Sequence, residues 1–555
     1  MQSGAPAPGP EYDVVVIGGG VNGTGVLRDC ALRGIRCALF ERNDLGFGAS
    51  GNSTGFIHGG PRYLGTNPDL TAEMCRDSGV VQRIAPHLLF RVPVLVPVLA
   101  DEPMPRLWVT LYDAFFRAYD RFQPQKRGHP HLRLTADELR QIEPGLAPNV
   151  VGGVSFDEWG IDGTRLCVAN ARDAASKGAM VRTHCSITEI LRDGAGRAVG
   201  VRYEDRLTRE TGTVTARTVV NATGAWAPLT ARLAGLASEA ARVRPGKGIH
   251  VYFDRRFSNY AIVTRAIDGR QVFVFPWQNS TVVGTTDDDY YGDLDDVVAT
   301  SDEVRYLLEA ARRVYPAISE ARAIGTWAGV RPTLYAWGPN EDALSREHQI
   351  VDHAAHGAPG LYSMLGGKLS SYRLFAEQMT DRLAEDLGNR AEKKSHTSPL
   401  PGGEEPVDVM LLAKLGGIDP VATARLAYRH GSQALEVVDR TLKKRVEATL
   451  VCHCEPVMEA EIRYVVEHEF ARTVADVARR TRLGFGMCGG MRCAARCGAI
   501  VAEMTGRSPA EGPSLARAFA VEQRRRRWPA INPLQARQEA LTFSSLTSEL
   551  GARPE

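Results

Sequence analysis

No stretch of this chain is apolar for long enough to cross a bilayer as a helix. The most apolar run, VPVLVPVLA at 92–100, has nine residues against the roughly twenty that a membrane helix needs. Nor does one sign of charge dominate. With 67 Lys and Arg against 65 Asp and Glu the formal net charge is +2, too weak a field to argue for nucleic acid as a partner. The opening MQSGAPAPGPEYD has neither the basic nor the apolar region of a secretion signal and is expected to be a short flexible leader. Five of the ten cysteines (Cys30, Cys37, Cys75, Cys167, Cys185) are scattered without framework spacing, which points to a reducing, cytosolic compartment. Internal repeats are absent. The 555 residues, 44% hydrophobic and 24% charged, are those of a globular protein of roughly three domains.

The first forty residues carry the clearest local signal. YDVVVI (12–17) reads as a buried parallel strand, VLRDCALRG (26–34) as a helix ended by Gly34, and RCALFE (36–41) as a second strand. Between strand and helix, Gly18, Gly20 and Gly23 have the spacing G-x-G-x-x-G. The first glycine permits the tight turn, the second the approach of a pyrophosphate, and the third close helix–strand packing. The phosphates would then lie on a helix N-terminus, where free N–H groups and the macrodipole favour negative charge. Glu41 follows Gly18 by 23 residues, close to the roughly twenty expected of a ribose-binding acid. The motif predicts a dinucleotide and leaves FAD and NAD both open.

Later segments favour a flavin. GASGNSTGFIHGGPRYL (48–64) is a long glycine-rich connection, TVVNATGAW (218–226) a strand ending in a tight turn, and 361–388 a strand, glycine turn and long helix. Such long excursions before the chain returns to its sheet suit a flavoprotein with an inserted substrate domain. GGVSFDEW (152–159) and the hairpin QVFVFPW–QNS–TVVGTTD (271–287) supply candidate strands for the insert, the hairpin alternating as a half-buried antiparallel sheet does. In 107–122, Leu107, Leu111, Ala114, Phe115, Ala118 and Phe122 recur at helical spacing, predicting an amphipathic helix against the core. An interfacial helix is the alternative, with Trp108, Tyr112, Phe116, Arg117 and Arg121 suited to a headgroup layer. SHTSPLPGGEEP (395–406) has linker composition, and helical segments follow. The run RRRRW (524–528) is expected to be a solvated helix face.

These stretches together resemble the FAD-dependent glycerol-3-phosphate dehydrogenases. VIGGGVNGTG, IHGGPRYL, VNATGAW, VFPW, VGTTD, GVRP (329–332) and LGGKLSSYR (365–373) stand in family order through roughly the first 400 residues. LPGGEEP, AYRHG and a C-terminal cysteine group extend the resemblance to the anaerobic type, the catalytic A chain of a multi-subunit complex. The resemblance implies an α/β fold, with a Rossmann-like FAD-binding core of the D-amino-acid-oxidase kind, an inserted mixed or antiparallel-sheet substrate domain, and a helical C-terminal region. It implies FAD contacts from Gly18, Gly19, Gly20, Gly23, Glu41, Arg42, Ser50, Ser53, Thr54, His58, Gly224, Gly366, Gly367 and Lys368. Around the substrate it implies Arg331, Arg62 and Tyr63, and less securely Arg346 and Arg373. Guanidinium forks suit a phosphate dianion. The base is either Lys368, whose pKa desolvation could lower, or His250, which needs no large shift. Pro61 and Gly55 depart from the family pattern, the first stiffening its loop and the second removing a larger polar residue.

The remaining five cysteines lie close together: Cys452-x-Cys454, then 33 residues, then Cys488-x4-Cys493, with Cys497 four further on. The tight C-x-C spacing does not suit zinc ribbons or fingers. Glycine-rich backbone, as in GFGMCGGMRC, suits thiolates of an iron–sulfur cluster, because its N–H groups can bond to sulfur. TVADVARRTRLG (473–484) reads as a helix capped by Gly484, and 492–506 as another. The segment resembles the all-helical [2Fe–2S] domain of bacterioferritin-associated ferredoxin, which implies Cys452, Cys454, Cys488 and Cys493 as ligands. Cys497 reads as a small packed residue and His453 as facing away.

The expected organisation is a leader at 1–11, an FAD oxidoreductase domain at 12–395, a linker and helical region at 396–445, a [2Fe–2S] domain at 446–510 and a tail at 511–555. The implied reaction oxidises glycerol 3-phosphate to dihydroxyacetone phosphate by hydride transfer to flavin. Electrons then pass through the cluster to quinone, directly or through partner subunits, at the cytoplasmic membrane surface. Two alternatives stay open: one component of an amine, proline or opine dehydrogenase, and a non-catalytic electron relay or redox sensor.

Overall fold

In the computed structural model, residues 10–338 and 347–550 are described. They form two compact units. The first comprises residues up to Gly51, Leu166–Gly246 and Arg331–Ser398, and the second Asn52–Arg165, Lys247–Val330 and Pro399 onward. The chain thus passes from one to the other at Ser398, inside the proline- and glycine-rich stretch 395–406.

The first unit is built on a mostly parallel sheet. Strand β1 (Tyr12–Ile17) lies between β2 (Cys37–Phe40) and the strand Thr211–Asn221, parallel to both. Met180–Arg182 extends the sheet beyond β2, and Leu361–Gly366 then His348–Asp352 extend the other side. His348–Asp352 is an antiparallel edge. Val15, Ile17, Ala38, Phe40, Val219 and Leu361 are buried in one cluster, the near-continuous apolar pattern of strands covered on both faces. Helix α1 (Val21–Leu32) connects β1 to β2 and packs on the helix Tyr372–Leu387. A Cβ at Gly25 would lie 2.9 Å from Ala376, so a glycine there permits the close helix approach. Gly34 follows with φ +70°, the left-handed conformation that ends the helix.

The second unit holds a mixed nine-stranded sheet. Its main order is Asp288–Asp289, Val243–Phe253, Ser280–Gly284, Gln271–Trp277, Ala261–Arg265, Leu89–Leu99, Val150–Ile161 and Leu132–Thr135. Ala323–Leu334 pairs with Val243–Phe253. The apolar run at 92–100 is therefore mostly strand, paired antiparallel along Val150–Ile161. The hairpin is more deeply buried than its alternation predicts, since Ser280–Gly284 is buried throughout. Its two faces feed different cores: Val274 and Val283 pack with Leu307 of the helix Ser301–Val314, and Phe275, Trp277 and Val282 with Tyr252 and Phe116.

The helix predicted within 107–122 spans Pro105–Tyr119 and buries only part of the expected face, Phe115 and Phe122 packing against the core. Val109, Phe116 and Tyr119 are buried, whereas Leu107 and Leu111 are 48% and 46% exposed. Apolar residues on both faces left the helix rotation ambiguous. Phe116 settles it by stacking on Phe156 at 4.2 Å, while Tyr119 reaches a buried carboxylate. The proposed headgroup residues are likewise occupied: Phe116 is core, Tyr112 accepts a hydrogen bond from Arg265, and Arg265 also lies over Trp108.

Beyond Pro399 the second unit is helical, with Val409–Gly416, Pro420–His430, Ala434–Lys443, Glu459–His468, Val474–Thr481, Ala494–Met504, Gly512–Arg527 and Pro533–Glu549. The motif AYRHG feeds a buried ionic network. Arg429 donates to both carboxylate oxygens of Glu461, His430 bonds Glu461 at 3.0 Å, and Arg165 pairs with Glu469. Buried charges persist only where paired in this way. Among the described residues no helix is long and apolar enough to cross a membrane.

Candidate active site and cysteine cluster

In the first unit the glycine turn is shaped for a ligand. Gly18 has φ +110°, and a Cβ on it would meet the carbonyl oxygen of Ala222 at 2.7 Å. A Cβ at Gly23 would lie 2.0 Å from the Gly18 oxygen, so strand and helix can approach only through a glycine. At Gly20, by contrast, a Cβ would find nothing nearer than Ser50 Oγ at 3.4 Å, leaving the backbone approachable. Gly20 is the N-cap of α1 without a side-chain cap, and the first turn has no acidic residue. No residue of the first turn itself offsets the positive end of the helix dipole, and Ser50 Oγ accepts the Val21 N–H at 2.9 Å. Glu41 ties the end of β2 to this turn: one oxygen accepts the Gly19 N–H at 2.6 Å and the other the Asn43 N–H at 2.7 Å. Burial pushes its carboxyl pKa up, opposed by those two N–H groups.

The same unit brings up the second glycine turn. Gly366 and Gly367 both have positive φ, and Asn22 of α1 donates to the Gly366 carbonyl at 3.5 Å. Lys368 follows, half-buried, at the start of the turn that leads into the helix Tyr372–Leu387. Gly224 is left-handed after the strand Thr211–Asn221, and Arg42 lies over Trp226. Arg331 is half-buried in the strand Ala323–Leu334. Arg373 lies in the first turn of the helix Tyr372–Leu387. It is buried and gives Nη1 to Glu377 at 2.6 Å and to Ser395, because it sits one helical turn from Glu377. Arg346 lies outside the described residues.

In the second unit, Thr54 Oγ1 and His250 Nε2 are hydrogen-bonded at 3.0 Å. His250 is buried, stacked on Trp327 at 5.2 Å, and its ring occupies the volume a Cβ at Gly284 would need. Ser53 Oγ accepts the Gly55 N–H and His58 Nδ1 the Gly60 N–H. Gly55 has φ +72°, and a Cβ there would meet the Ile161 oxygen at 2.5 Å and Trp277 at 2.8 Å. Local packing therefore admits only a glycine here. Pro61 opens a single turn, Pro61–Tyr63, in which the exposed Arg62 lies over the Tyr63 ring.

A buried polar group anchors this loop, and sequence reasoning missed it. Glu158 accepts the Gly59 N–H at 3.2 Å and pairs with Lys126 at 2.6 Å through one oxygen, and accepts the Tyr119 hydroxyl at 2.9 Å through the other. Lys126 is fully buried and also donates to the Asp157 carbonyl. The available signal was an acidic pair, Asp157–Glu158, inside the otherwise apolar strand Val150–Ile161.

The cysteines form two pairs. Cys452 faces Cys493, whose thiol donates to the Gly490 carbonyl at 3.5 Å, and the Cys454 and Cys488 sulfurs lie 3.9 Å apart. The Cys493 contact, with N–H groups of Gly484, Glu455 and Cys454, lowers the Cys452 pKa to about 6. Burial, then Cys488, pushes Cys454 up to about 11. Among the described residues no three His, Cys, Asp or Glu side chains converge as ligands of a single metal ion. Cys497 is fully buried in the core with Val477 and Phe519. His453 is exposed. Cys493 is the N-cap of Ala494–Met504. Gly484 is left-handed but does not cap the preceding helix, whose C-cap is Arg482 with φ +63°. The run RRRRW also departs from a solvated face. Arg527 is 7% exposed and donates to the Met487 carbonyl at 3.0 Å.

Residues 13–373 match the family described as FAD dependent oxidoreductase, and 393–512 the C-terminal domain of alpha-glycerophosphate oxidase. The chain is 32% identical over 540 residues to the A chain of the anaerobic glycerol-3-phosphate dehydrogenase of Escherichia coli K12, covering 96% of this chain and 95% of that one. It is 30% identical to the alpha-glycerophosphate oxidase of Enterococcus casseliflavus, covering 78% and 82%. Among solved structures, the glycerol-3-phosphate dehydrogenase of Bacillus halodurans complexed with FAD superposes with a TM-score of 0.74 at 26% identity, covering 94% and 96%. This chain therefore belongs to the FAD-dependent glycerol-3-phosphate dehydrogenases and is similar, over nearly its whole length, to the A chain of their anaerobic type.

Proposed function

We propose that this chain oxidises sn-glycerol 3-phosphate to dihydroxyacetone phosphate, and that the electrons leave through a [2Fe–2S] cluster towards membrane quinone. The observation that carries the substrate is the likeness, over 96% of the chain, to a protein named for anaerobic glycerol-3-phosphate dehydrogenase. FAD, when bound, supplies the hydride acceptor. The open face at Gly20 and the uncapped N-terminus of α1 fit its pyrophosphate, and Glu41 stands beside that turn for a ribose hydroxyl. Gly18, Gly19, Gly23, Arg42, Ser50, Ser53, Thr54, His58, Gly224, Gly366 and Gly367 complete the assigned flavin contacts.

Arg331, Arg62 and Arg346 are assigned to the substrate phosphate, with Tyr63 as a hydrogen-bond donor. His250 is the assigned base for the hydroxyl proton. Thr54 and Trp327 fix its ring before substrate arrives, which supports this role. Lys368 is assigned to charge stabilisation of the alkoxide and flavin.

The cysteine geometry supports a two-iron cluster. A zinc ion asks for four ligands on one centre, whereas a [2Fe–2S] cluster asks for two thiolates on each iron. Two approaching pairs, with backbone N–H groups on Cys452, fit the second demand. Exposure of Met104, Leu107 and Leu111 around the helix Pro105–Tyr119 supports attachment of the protein to the cytoplasmic membrane surface. Electrons then reach quinone directly or through partner subunits.

Visible spectra with iron and zinc analysis, before and after anaerobic addition of glycerol 3-phosphate, test the reading. Bleaching of the flavin band and iron with sulfide are expected. A flavin that bleaches with proline or an amine but not with glycerol 3-phosphate would replace the substrate assignment, and zinc without iron would remove the cluster.

A further inference from the structure

Arg527 ends the helix Gly512–Arg527, and its guanidinium lies on the cysteine loop. A Cβ at Gly489, which has φ +58°, would be 2.0 Å from Nη1, so the guanidinium lies in close contact with the loop between Cys488 and Cys493. Nη2 donates to the Met487 carbonyl and pairs with Glu539 at 3.1 Å. Nε and Nη1 are buried with no hydrogen-bond acceptor among the described residues. The neighbouring arginines differ: Arg524 lies over Trp528 and Phe543, Arg525 pairs with Asp296, and Arg526 with Glu522.

A guanidinium has five donors in a fixed fork, and burying its charge with donors unsatisfied is costly. One carboxylate and one carbonyl do not offset that cost, and neutral thiols on the loop offer only weak acceptors. An anionic occupant of the four-cysteine site supplies both the counter-charge and the acceptors. We infer that Arg527 is the electrostatic partner of the iron–sulfur cluster and, with Glu539, sets its reduction potential. This rests on the cluster assignment above. One-electron reduction adds a unit of negative charge beside a fixed cation, so Arg527 stabilises the reduced form and raises the potential. Glu539 neutralises part of that cation and holds the potential down. Arg527 acts through its charge rather than as a ligand, which makes it a positioning residue.

The test is a redox titration of the full-length, iron-loaded protein followed by electron paramagnetic resonance, with iron content measured alongside. Arg527→Gln is expected to shift the midpoint to more negative values, Arg527→Lys to shift it less, and Glu539→Gln to shift it to more positive values. A purely structural role would not produce shifts of opposite sign. Wild-type midpoints in both neutral variants would overturn the inference while leaving the cluster in place. If Arg527→Gln fails to load iron, Glu539→Gln decides alone, and an unchanged midpoint there refutes the inference. A wild-type protein that binds no iron would instead overturn the cluster assignment, and this inference with it.

Discussion

Removing the buried cation at Lys126 should release the loop that carries Arg62 and Tyr63. In Lys126→Met the Glu158 carboxylate stays enclosed, keeping the Tyr119 hydroxyl and the Gly59 N–H but losing its counter-ion at 2.6 Å. Breaking a buried pair from one side costs about 3–5 kcal/mol. Glu158→Gln should cost a similar amount, because Lys126 stays buried with its charge facing only a neutral amide and the Asp157 carbonyl at 2.7 Å. The double variant removes both charges, and its amide oxygen still accepts the Gly59 N–H. It should therefore be more stable than either single variant. Urea unfolding by circular dichroism measures the global loss, and hydrogen exchange of the segment 57–64 reports the local one. Additive losses in the double variant, or unchanged exchange in that segment for Lys126→Met, would refute the reasoning.

Gly23→Ala places a Cβ 2.0 Å from a backbone oxygen, so the purified variant should lose its flavin absorbance while Gly34→Ala, whose Cβ meets nothing within 4 Å, keeps most of it. Cys452→Ser should lower the iron content, whereas Cys497→Ala should retain it at a stability cost of a small core truncation, about 1 kcal/mol; equal iron loss in both would contradict the assignment of ligands. Burial, then Arg165 and His430, lowers the His87 pKa to about 3, so the unfolded chain takes up a proton that the folded chain refuses. Stability then falls as pH drops below the ordinary histidine value, by about 2 kcal/mol near pH 5. His87→Gln should flatten that part of the decline in acid-unfolding curves, and an unchanged slope would count against it.

By itself the sequence determined the nucleotide-binding start of the first unit and the strand–turn–helix at 361–388, but not the strands between 180 and 205 or the edge strand His348–Asp352. The β1–α1–β2 reading is local: a strand, a glycine turn and a helix dictate their own geometry, and Gly18, Gly23 and Gly34 each occupy a position where a side chain would clash or strain. The second glycine turn at Gly366–Gly367 was legible for the same reason. Periodicity was weaker where apolar residues occur on more than one face. The helix Pro105–Tyr119 was found, but its rotation was decided by Phe156 and Glu158, both far away in sequence. Pairings that depend on long-range approach came only from the tertiary structure: Thr54 with His250, Glu158 with Lys126, and Arg527 with Gly489. The cysteine spacing marked a site, yet the division into Cys452–Cys493 and Cys454–Cys488 needed the fold. A sequence records which residues are present, and burial decides which of them must find a partner.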